Sequence, residues 1–178
     1  MDSSFLREWR VAGGESLDEL SRRGPALIVC LRHGGCPFCR QTLAELAARR
    51  AELEAAGVAI VLVHLMRDEE ARELFARFGL DDLPRIADPE GRLYETLGLL
   101  RASLRQVMGP KAWWHGTKAV LRGNRPGMPR GDIFRLPGAF LIFAGQVARM
   151  TADGGTTHAR PDIDAVLAQI TPKSSSRM

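Results

Sequence analysis

Cysteine is scarce in this chain, with three among 178 residues. So small and odd a number cannot form a disulfide framework, whereas the 45% hydrophobic content is enough to build one apolar core. Long apolar runs are also missing, since the longest, residues 58–66, is far shorter than the roughly 20 residues that cross a bilayer. The first residues lack the apolar stretch of a secretory signal. We therefore expect a reducing, cytoplasmic location and no membrane span.

Basic residues form no continuous stripe, and aromatic residues make up only 6% of the chain. The 25 Lys and Arg exceed the 21 Asp and Glu by a formal charge of +4, and most arginines share segments with glutamates. This pattern disfavours nucleic-acid binding, which uses a basic patch interleaved with aromatic side chains. The densest basic segment, residues 118–135, is either a solvated loop or a positive rim for an acidic partner.

Apolar runs that alternate with amphipathic segments predict an α/β fold. Residues 26–32 and 58–64 are typical of strands buried on both faces, and residues 37–56 between them show helical spacing. Strand, helix and strand then form a right-handed βαβ unit. The other predicted elements are a helix of residues 17–23 capped by Ser16, a helix 68–78, an edge strand 83–87, a broken helical segment 94–121, a hairpin of strands 139–143 and 146–151, and a helix 162–170.

These elements predict a mixed central sheet flanked by helices, with a helical insert before a C-terminal ββα unit. We expect residues 1–24 to be an N-terminal helical extension, residues 25–170 the main domain, and residues 171–178 a disordered tail.

The segment Cys36, Pro37, Phe38, Cys39 is the motif with the clearest chemistry. It follows a predicted buried strand and begins a predicted helix, and proline suits the first turn of a helix because its missing amide has no partner there. Free backbone amides and the positive end of the helix dipole favour a thiolate at this place. Cys36 is therefore the predicted nucleophile, and Cys39, one turn further on, is the predicted resolving residue that breaks a mixed disulfide.

Two other interpretations of the pair stay open at this point. His33, Cys36 and Cys39 could bind a metal ion with His64 or His115 as a fourth ligand, although a closed zinc site usually has a second ligand pair, which is missing here. The two cysteines could also be unreactive core residues. We favour redox chemistry with no metal and no cofactor. Cys30, inside an apolar strand, is predicted to be inert, because burial disfavours its thiolate.

Three segments resemble the peroxiredoxin-like AhpC/TSA family: HGGCPFCR after an apolar strand, DPEGRLYETLG from Asp88 to Gly98, and the late hairpin GAFLIFAGQVARM. The resemblance covers roughly residues 25–170. It implies a thioredoxin-like fold and a Cys-x-x-Cys redox centre at Cys36 and Cys39. True peroxiredoxins carry P-x-x-x-T-x-x-C, where this chain has Val29 and His33 in place of the proline and threonine.

The same resemblance suggests how a substrate binds. In thioredoxin-like folds a cis-proline before a main strand faces the reactive cysteine, and Pro137 stands in the corresponding place. The bond between Leu136 and Pro137 is thus predicted to be cis, with the backbone of Leu136 pairing with the substrate beside Pro37.

Three functions follow as hypotheses. The first is a thiol–disulfide oxidoreductase whose partners are thiols or disulfides of the thioredoxin, glutaredoxin or glutathione type. The second is a thiol-dependent, antioxidant peroxidase in which Cys36 becomes a sulfenic acid. The third is a non-catalytic binding module that uses the basic segment and the adjacent Trp113 and Trp114, of which one indole faces the groove or a subunit contact, as in a homodimer.

Overall fold

The structure is a computed structural model, and it describes residues 4–32, 34–99, 135–151 and 160–170. The strands are β1 (Ala26–Cys30), β2 (Ala59–His64), β3 (Arg85–Ala87), β4 (Gly138–Phe143) and β5 (Gln146–Arg149). After a 3-10 turn at Ser4–Arg7, the α-helices are α1 (Leu17–Arg23), α2 (Pro37–Ala55), α3 (Asp68–Ala76), α4 (Arg92–Thr96) and α5 (Ile163–Ile170). Each element predicted within these ranges occurs, and its ends lie within two residues of the prediction.

The five strands form one mixed sheet in the order β3-β2-β1-β4-β5. Strands β1, β2 and β3 are parallel, whereas β4 is antiparallel to both β1 and β5. Strand β1 is central, and its last residue, Cys30, is paired with Val63 on one side and Gly138 on the other. The chain leaves the middle of the sheet at this point and enters α2. The mixed sheet and the edge position of β3 were both predicted.

Each face of the sheet is covered by its own apolar cluster. Because side chains alternate along a strand, Leu27 and Val29 face one cluster, and Ile28 and Cys30 face the other. The first cluster is covered by α2, α3 and α5. The second is covered by the N-terminal segment, including Phe5 and Leu6, and by α4. Cys36 and Cys39 therefore lie on the face covered by α2, and Cys30 lies on the other face.

The predicted capping box at the start of α1 is present. Ser16 Oγ accepts a hydrogen bond from the Glu19 amide at 3.2 Å, and the Glu19 carboxylate accepts one from the Ser16 amide at 2.7 Å. Two amides that no helix turn could satisfy are thereby paired.

Replacing Ser16 by alanine is expected to lower the free energy of unfolding by about 1 kcal/mol, because the Glu19 amide loses its acceptor. Urea unfolding would show a lower midpoint with an unchanged slope. Ser16→Thr keeps the hydroxyl and serves as the matched control. Equal stability of the alanine and threonine variants would contradict the prediction.

Several predicted features lie outside the described residues. They are the paired Trp113 and Trp114, the histidines at 33 and 115, the tail at 171–178, and most of the basic segment. Arg135, which ends that segment, is described. It is buried, and its Nη2 lies 3.1 Å from Glu95 Oε1. None of the described helices combines the length and the apolar character needed to span a membrane.

Candidate redox site

Cys36 occupies the N-cap position of α2, between the end of β1 and the helix. Its backbone is extended, with φ −73° and ψ 119°, and Pro37 follows within the first turn. Proline is compatible with this place because its fixed φ suits a helix and it has no amide to leave unpaired. The local sequence therefore places Cys36, the candidate nucleophile, at the start of the helix, as predicted.

The two thiols of the motif lie side by side under the protein surface. Cys36 is 1% exposed and Cys39 is 3% exposed, and all three cysteines of the chain are free thiols in this structure. Arg32, two residues beyond β1, contacts both. Its amide donates a hydrogen bond to Cys39 Sγ at 3.2 Å, and its guanidinium Nη1 lies 3.9 Å from Cys36 Sγ. Arg32 is itself buried, so little water screens its charge from the sulfur.

The surroundings shift the pKa values of the two thiols in opposite directions. The pKa of Cys36 is lowered, first because the Cys39 thiol donates a hydrogen bond to it, and then because Arg32 is positively charged and the amides of Cys39 and Phe38 point towards it. Burial opposes these effects.

The pKa of Cys39 is shifted in the opposite direction. Its pKa is raised well above the ordinary value, first by the hydrogen bond to Cys36 that retains its proton, and then by burial and by the charge of Cys36. The surroundings therefore favour a thiolate at Cys36 and keep the proton on Cys39.

Of the three predicted substrate-binding residues, Pro37 begins the helix and Pro137 lies beside Cys39. Pro137 lines a small crevice together with Cys39, Phe38, Thr42 and Pro161. Leu136 is 8% exposed. The fold thus brings Pro137 to Cys39, which lies 98 positions earlier in the chain, since β4 pairs with β1.

The predicted cis bond before Pro137 is wrong. The described residues contain no cis peptide bond, so Leu136 and Pro137 are joined in the trans form. The trans form is favoured for an ordinary X–Pro bond by about 0.5–1 kcal/mol, and this intrinsic preference outweighs the fold analogy.

Cys30 does not belong to the reactive pair. It is 1% exposed, it lies in the second cluster on the opposite sheet face, and burial raises the pKa of its thiol. The prediction that Cys30 is a buried core residue is confirmed.

His64 is a buried core residue rather than an exposed ligand. Its Nδ1 lies 3.1 Å from the carbonyl oxygen of Met66, and its ring packs edge-on against Phe75. Its Nε2 lies 3.7 Å from Asp68 Oδ1. Within residues 4–32, 34–99, 135–151 and 160–170, no group of three or more His, Cys, Asp or Glu side chains could hold a metal ion.

Two contacts near the cysteine pair could not be predicted from the sequence. Arg32 was visible as a nearby charge, but only the fold shows that its side chain turns towards Cys36. Tyr94, whose hydroxyl contacts the backbone at the end of β1, was not recognised. Its partner Leu31 is 63 positions away, so no local pattern marks the contact.

The parallel β1–β2 pair, the antiparallel β4–β5 hairpin and a Cys-x-x-Cys motif at the start of α2 define a thioredoxin-like fold. The family model described as AhpC/TSA antioxidant enzyme matches residues 45–153, which is more than half of the chain. The chain belongs to this family. The matched span begins after Cys39, so the match itself does not test the cysteine pair.

Known proteins show the same relationship. Peroxiredoxin-like 2A of Mus musculus is 27% identical over 133 residues, which cover 72% of this chain and 57% of that protein. Prostamide/prostaglandin F synthase of Salmo salar is 30% identical over 138 residues, which cover 74% of this chain and 68% of the other. The chain thus spans little more than half the length of the mouse relative.

A solved structure shows the likeness of fold. The bacterioferritin comigratory protein of Xanthomonas campestris, whose structures were studied for alkyl peroxide reduction, matches with a TM-score of 0.60 at 15% sequence identity. The match covers 94% of this chain and 92% of that one.

Proposed function

We propose that this protein is a thiol–disulfide oxidoreductase in which Cys36 is the nucleophile and Cys39 the resolving cysteine. The observation that carries the proposal is geometric: Cys36 is the N-cap residue of α2, the Arg32 guanidinium lies 3.9 Å from its sulfur, and the Arg32 amide donates to the neighbouring Cys39 sulfur. These contacts lower the pKa of Cys36, whereas burial raises the pKa of Cys30.

The proposed reaction takes two exchange steps. The Cys36 thiolate attacks one sulfur of a substrate disulfide, so a Cys36–substrate disulfide forms and the other substrate sulfur leaves as a thiolate. Cys39 then attacks Cys36 Sγ, which releases the second substrate thiolate and leaves a Cys36–Cys39 disulfide. The substrate gains two electrons and the protein loses two. The departing thiolate takes up the proton that Cys39 gives up.

The arrangement of charges supports this order of events. Before attack, the negative Cys36 sulfur and its hydrogen bond keep the proton on Cys39. Once Cys36 is part of a disulfide, both restraints are gone, so the pKa of Cys39 falls. The Arg32 amide, 3.2 Å from Cys39 Sγ, then stabilises the second thiolate.

We propose that the substrate disulfide, or a thiol reductant in the reverse direction, contacts the protein at Pro37, Leu136 and Pro137. Pro137 supports this placement because it lines one crevice with Phe38 and Cys39 of the motif. Pro37 and Leu136 are the chain neighbours of Cys36 and Pro137. The two cysteines themselves carry both electrons, so the reaction requires no metal and no bound cofactor. A thioredoxin-, glutaredoxin- or glutathione-type thiol is the class of partner that would restore the dithiol.

A thiol-dependent peroxidase is the second candidate, and one observation favours it. Cys36 is 1% exposed, and a hydroperoxide reaches a nearly buried sulfur more easily than a bulky disulfide does. In that reaction the thiolate takes the distal peroxide oxygen to become a sulfenic acid, an alcohol is released, and Cys39 condenses with Cys36 to release water. The family description as antioxidant enzymes agrees with either activity.

The test is pH-dependent alkylation of the reduced protein, with the modified cysteine located by mass spectrometry. Because its pKa is lowered, Cys36 stays a thiolate as the pH falls through about 8.5, the ordinary cysteine value, and loses reactivity only below its own pKa. A midpoint at or above the ordinary value would contradict the proposal and favour a non-catalytic binding module.

A competition between two oxidants separates the two activities. The reduced protein is mixed with oxidised glutathione or with cumene hydroperoxide, and formation of the Cys36–Cys39 disulfide is followed for each. We expect oxidised glutathione to oxidise the pair faster than cumene hydroperoxide does. Faster oxidation by the peroxide would replace the proposed function with the second candidate.

A further inference from the structure

Tyr94 is the only tyrosine of the chain, and it lies where β1 and β2 end. Its side chain is 0% exposed. Its hydroxyl donates a hydrogen bond to the carbonyl oxygen of Leu31 and lies 3.1 Å from the carbonyl oxygen of Val63. The Leu31 amide donates to the same Val63 oxygen at 2.9 Å. The hydroxyl therefore joins the two parallel strands at the edge from which α2 begins.

The carbonyl of Leu31 and the amide of Arg32 belong to one peptide group. The carbonyl side of this group accepts from Tyr94, and the amide side donates to Cys39 Sγ at 3.2 Å. A hydrogen bond received at a carbonyl oxygen polarises the group and strengthens its N–H as a donor. The Cys39 thiol in turn donates to Cys36. A continuous chain of hydrogen bonds thus runs from the phenol to the nucleophile candidate.

We propose that Tyr94 is a positioning residue that sets the reactivity of the Cys36–Cys39 pair through the peptide group between Leu31 and Arg32. The inference rests on the proposed function, because it concerns how the same pair is tuned. By strengthening the donor that faces Cys39, the hydroxyl stabilises the reduced pair relative to the disulfide. It also fixes the backbone from which the Arg32 side chain reaches Cys36.

Helix α4 holds Tyr94 in place from its first turn. The buried carboxylate of Asp88 accepts hydrogen bonds from the amides of Arg92 at 3.0 Å and Leu93 at 2.9 Å, which fixes the start of the helix. Gly91 has a positive φ of 75°, and a Cβ there would lie 2.5 Å from Arg135 Nη2. The hydrogen bonds and the tight packing of the DPEGRLYETLG segment therefore fix the position of Tyr94.

Tyr94 remains a neutral donor over the pH range in which the thiols titrate. Its pKa is raised well above the ordinary value, first by burial and then by the neighbouring acidic groups. The titratable and charged groups that act on it are Cys30, Cys39, Asp88 and Arg135, and those that act on Cys36 are Cys39 and Arg32. The hydroxyl can therefore donate to Leu31 whichever thiol is ionised.

Replacing Tyr94 by phenylalanine removes the hydroxyl and keeps the ring. We expect the alkylation midpoint of Cys36 to move to higher pH, so that the rate at a pH below both midpoints falls about three- to tenfold. The reduction potential is expected to become more negative, because the reduced pair loses stabilisation. Ser21→Ala is the matched control, since it removes a buried hydroxyl that donates to the Asp18 carbonyl at 2.9 Å. Ser21 contacts the β4–β5 turn through its carbonyl, at the other end of the sheet.

A second measurement keeps the hydroxyl and changes only its strength. Because the chain has one tyrosine, growth on fluorotyrosine labels residue 94 alone. Ring fluorination makes the phenol a stronger donor, so the alkylation midpoint of Cys36 should move to lower pH, opposite to the phenylalanine variant. The fluorine resonance should also shift as Cys36 is titrated. A merely structural tyrosine would produce neither effect.

The outcomes separate the two proposals. Opposite midpoint shifts in Tyr94→Phe and in fluorotyrosine protein, with Ser21→Ala unchanged, support the role of Tyr94. Midpoints equal to that of the unmodified protein overturn it, even if the unmodified protein has a lowered Cys36 midpoint. An ordinary midpoint in the unmodified protein overturns the proposed function instead. If Tyr94→Phe does not fold, the fluorotyrosine protein alone decides.

Discussion

Serine in place of Cys36 is expected to lower the turnover of a disulfide substrate about a thousandfold or more, because the attacking sulfur is lost. Serine in place of Cys39 should give a different result. Cys36 can still attack, but nothing resolves the mixed disulfide, so one equivalent of substrate thiol is released and the rest stays bound to the protein. Mass spectrometry of the Cys39→Ser protein, mixed with an equimolar disulfide and no other thiol, would show this adduct at residue 36.

Cys30→Ser is the internal control for both variants, since Cys30 lies on the other face of the sheet. It should turn over at the rate of the unmodified protein. Full turnover by Cys36→Ser, or an adduct found at Cys30, would reject the assignment of the nucleophile.

Replacing Arg32 by methionine is expected to produce the second-largest loss. The guanidinium 3.9 Å from Cys36 Sγ is a cause of the lowered pKa of this thiol. Without its charge the pKa rises, and each unit of that rise lowers the thiolate fraction tenfold at a pH below both values. Reaction with a disulfide at such a pH should slow accordingly, and the rate should recover as the pH is raised.

Recovery at high pH distinguishes lost charge from lost structure. Arg32→Lys retains a positive charge and should keep most of the reactivity at neutral pH. Arg23→Met removes an exposed arginine of α1 that pairs with Glu15, and it should leave the pH profile unchanged. A methionine variant that is slow at every pH would show that Arg32 serves the fold and not the thiolate.

Local patterns in the sequence predicted those parts of the fold that depend on near neighbours. The capping box joins Ser16 to Glu19, three residues apart, and Pro37 favours a helix start by its own geometry. The alternation of buried runs and amphipathic helices predicted the mixed sheet with β3 at its edge, as observed. The place of Cys36 at a strand-to-helix junction followed from the same patterns.

The parts that sequence reasoning missed depend on contacts between distant residues. The direction of the Arg32 side chain is decided by the core around it. Leu31, the partner of Tyr94, lies 63 positions earlier in the chain, with β2 and β3 between them. The isomer before Pro137 was predicted from the fold of other proteins, and the intrinsic trans preference decided otherwise. Neither hydrophobic periodicity nor a short sequence motif indicates which distant residues come into contact.

The place of Cys30 on the second face of the sheet allows opening of that face to be followed with a thiol reagent. Its side chain is 1% exposed and belongs to the cluster covered by the N-terminal segment and α4, and burial raises the pKa of its thiol. Labelling of Cys30 therefore requires this cluster to open. The rate of labelling at residue 30 then reports local unfolding of the second face, independently of the chemistry at Cys36.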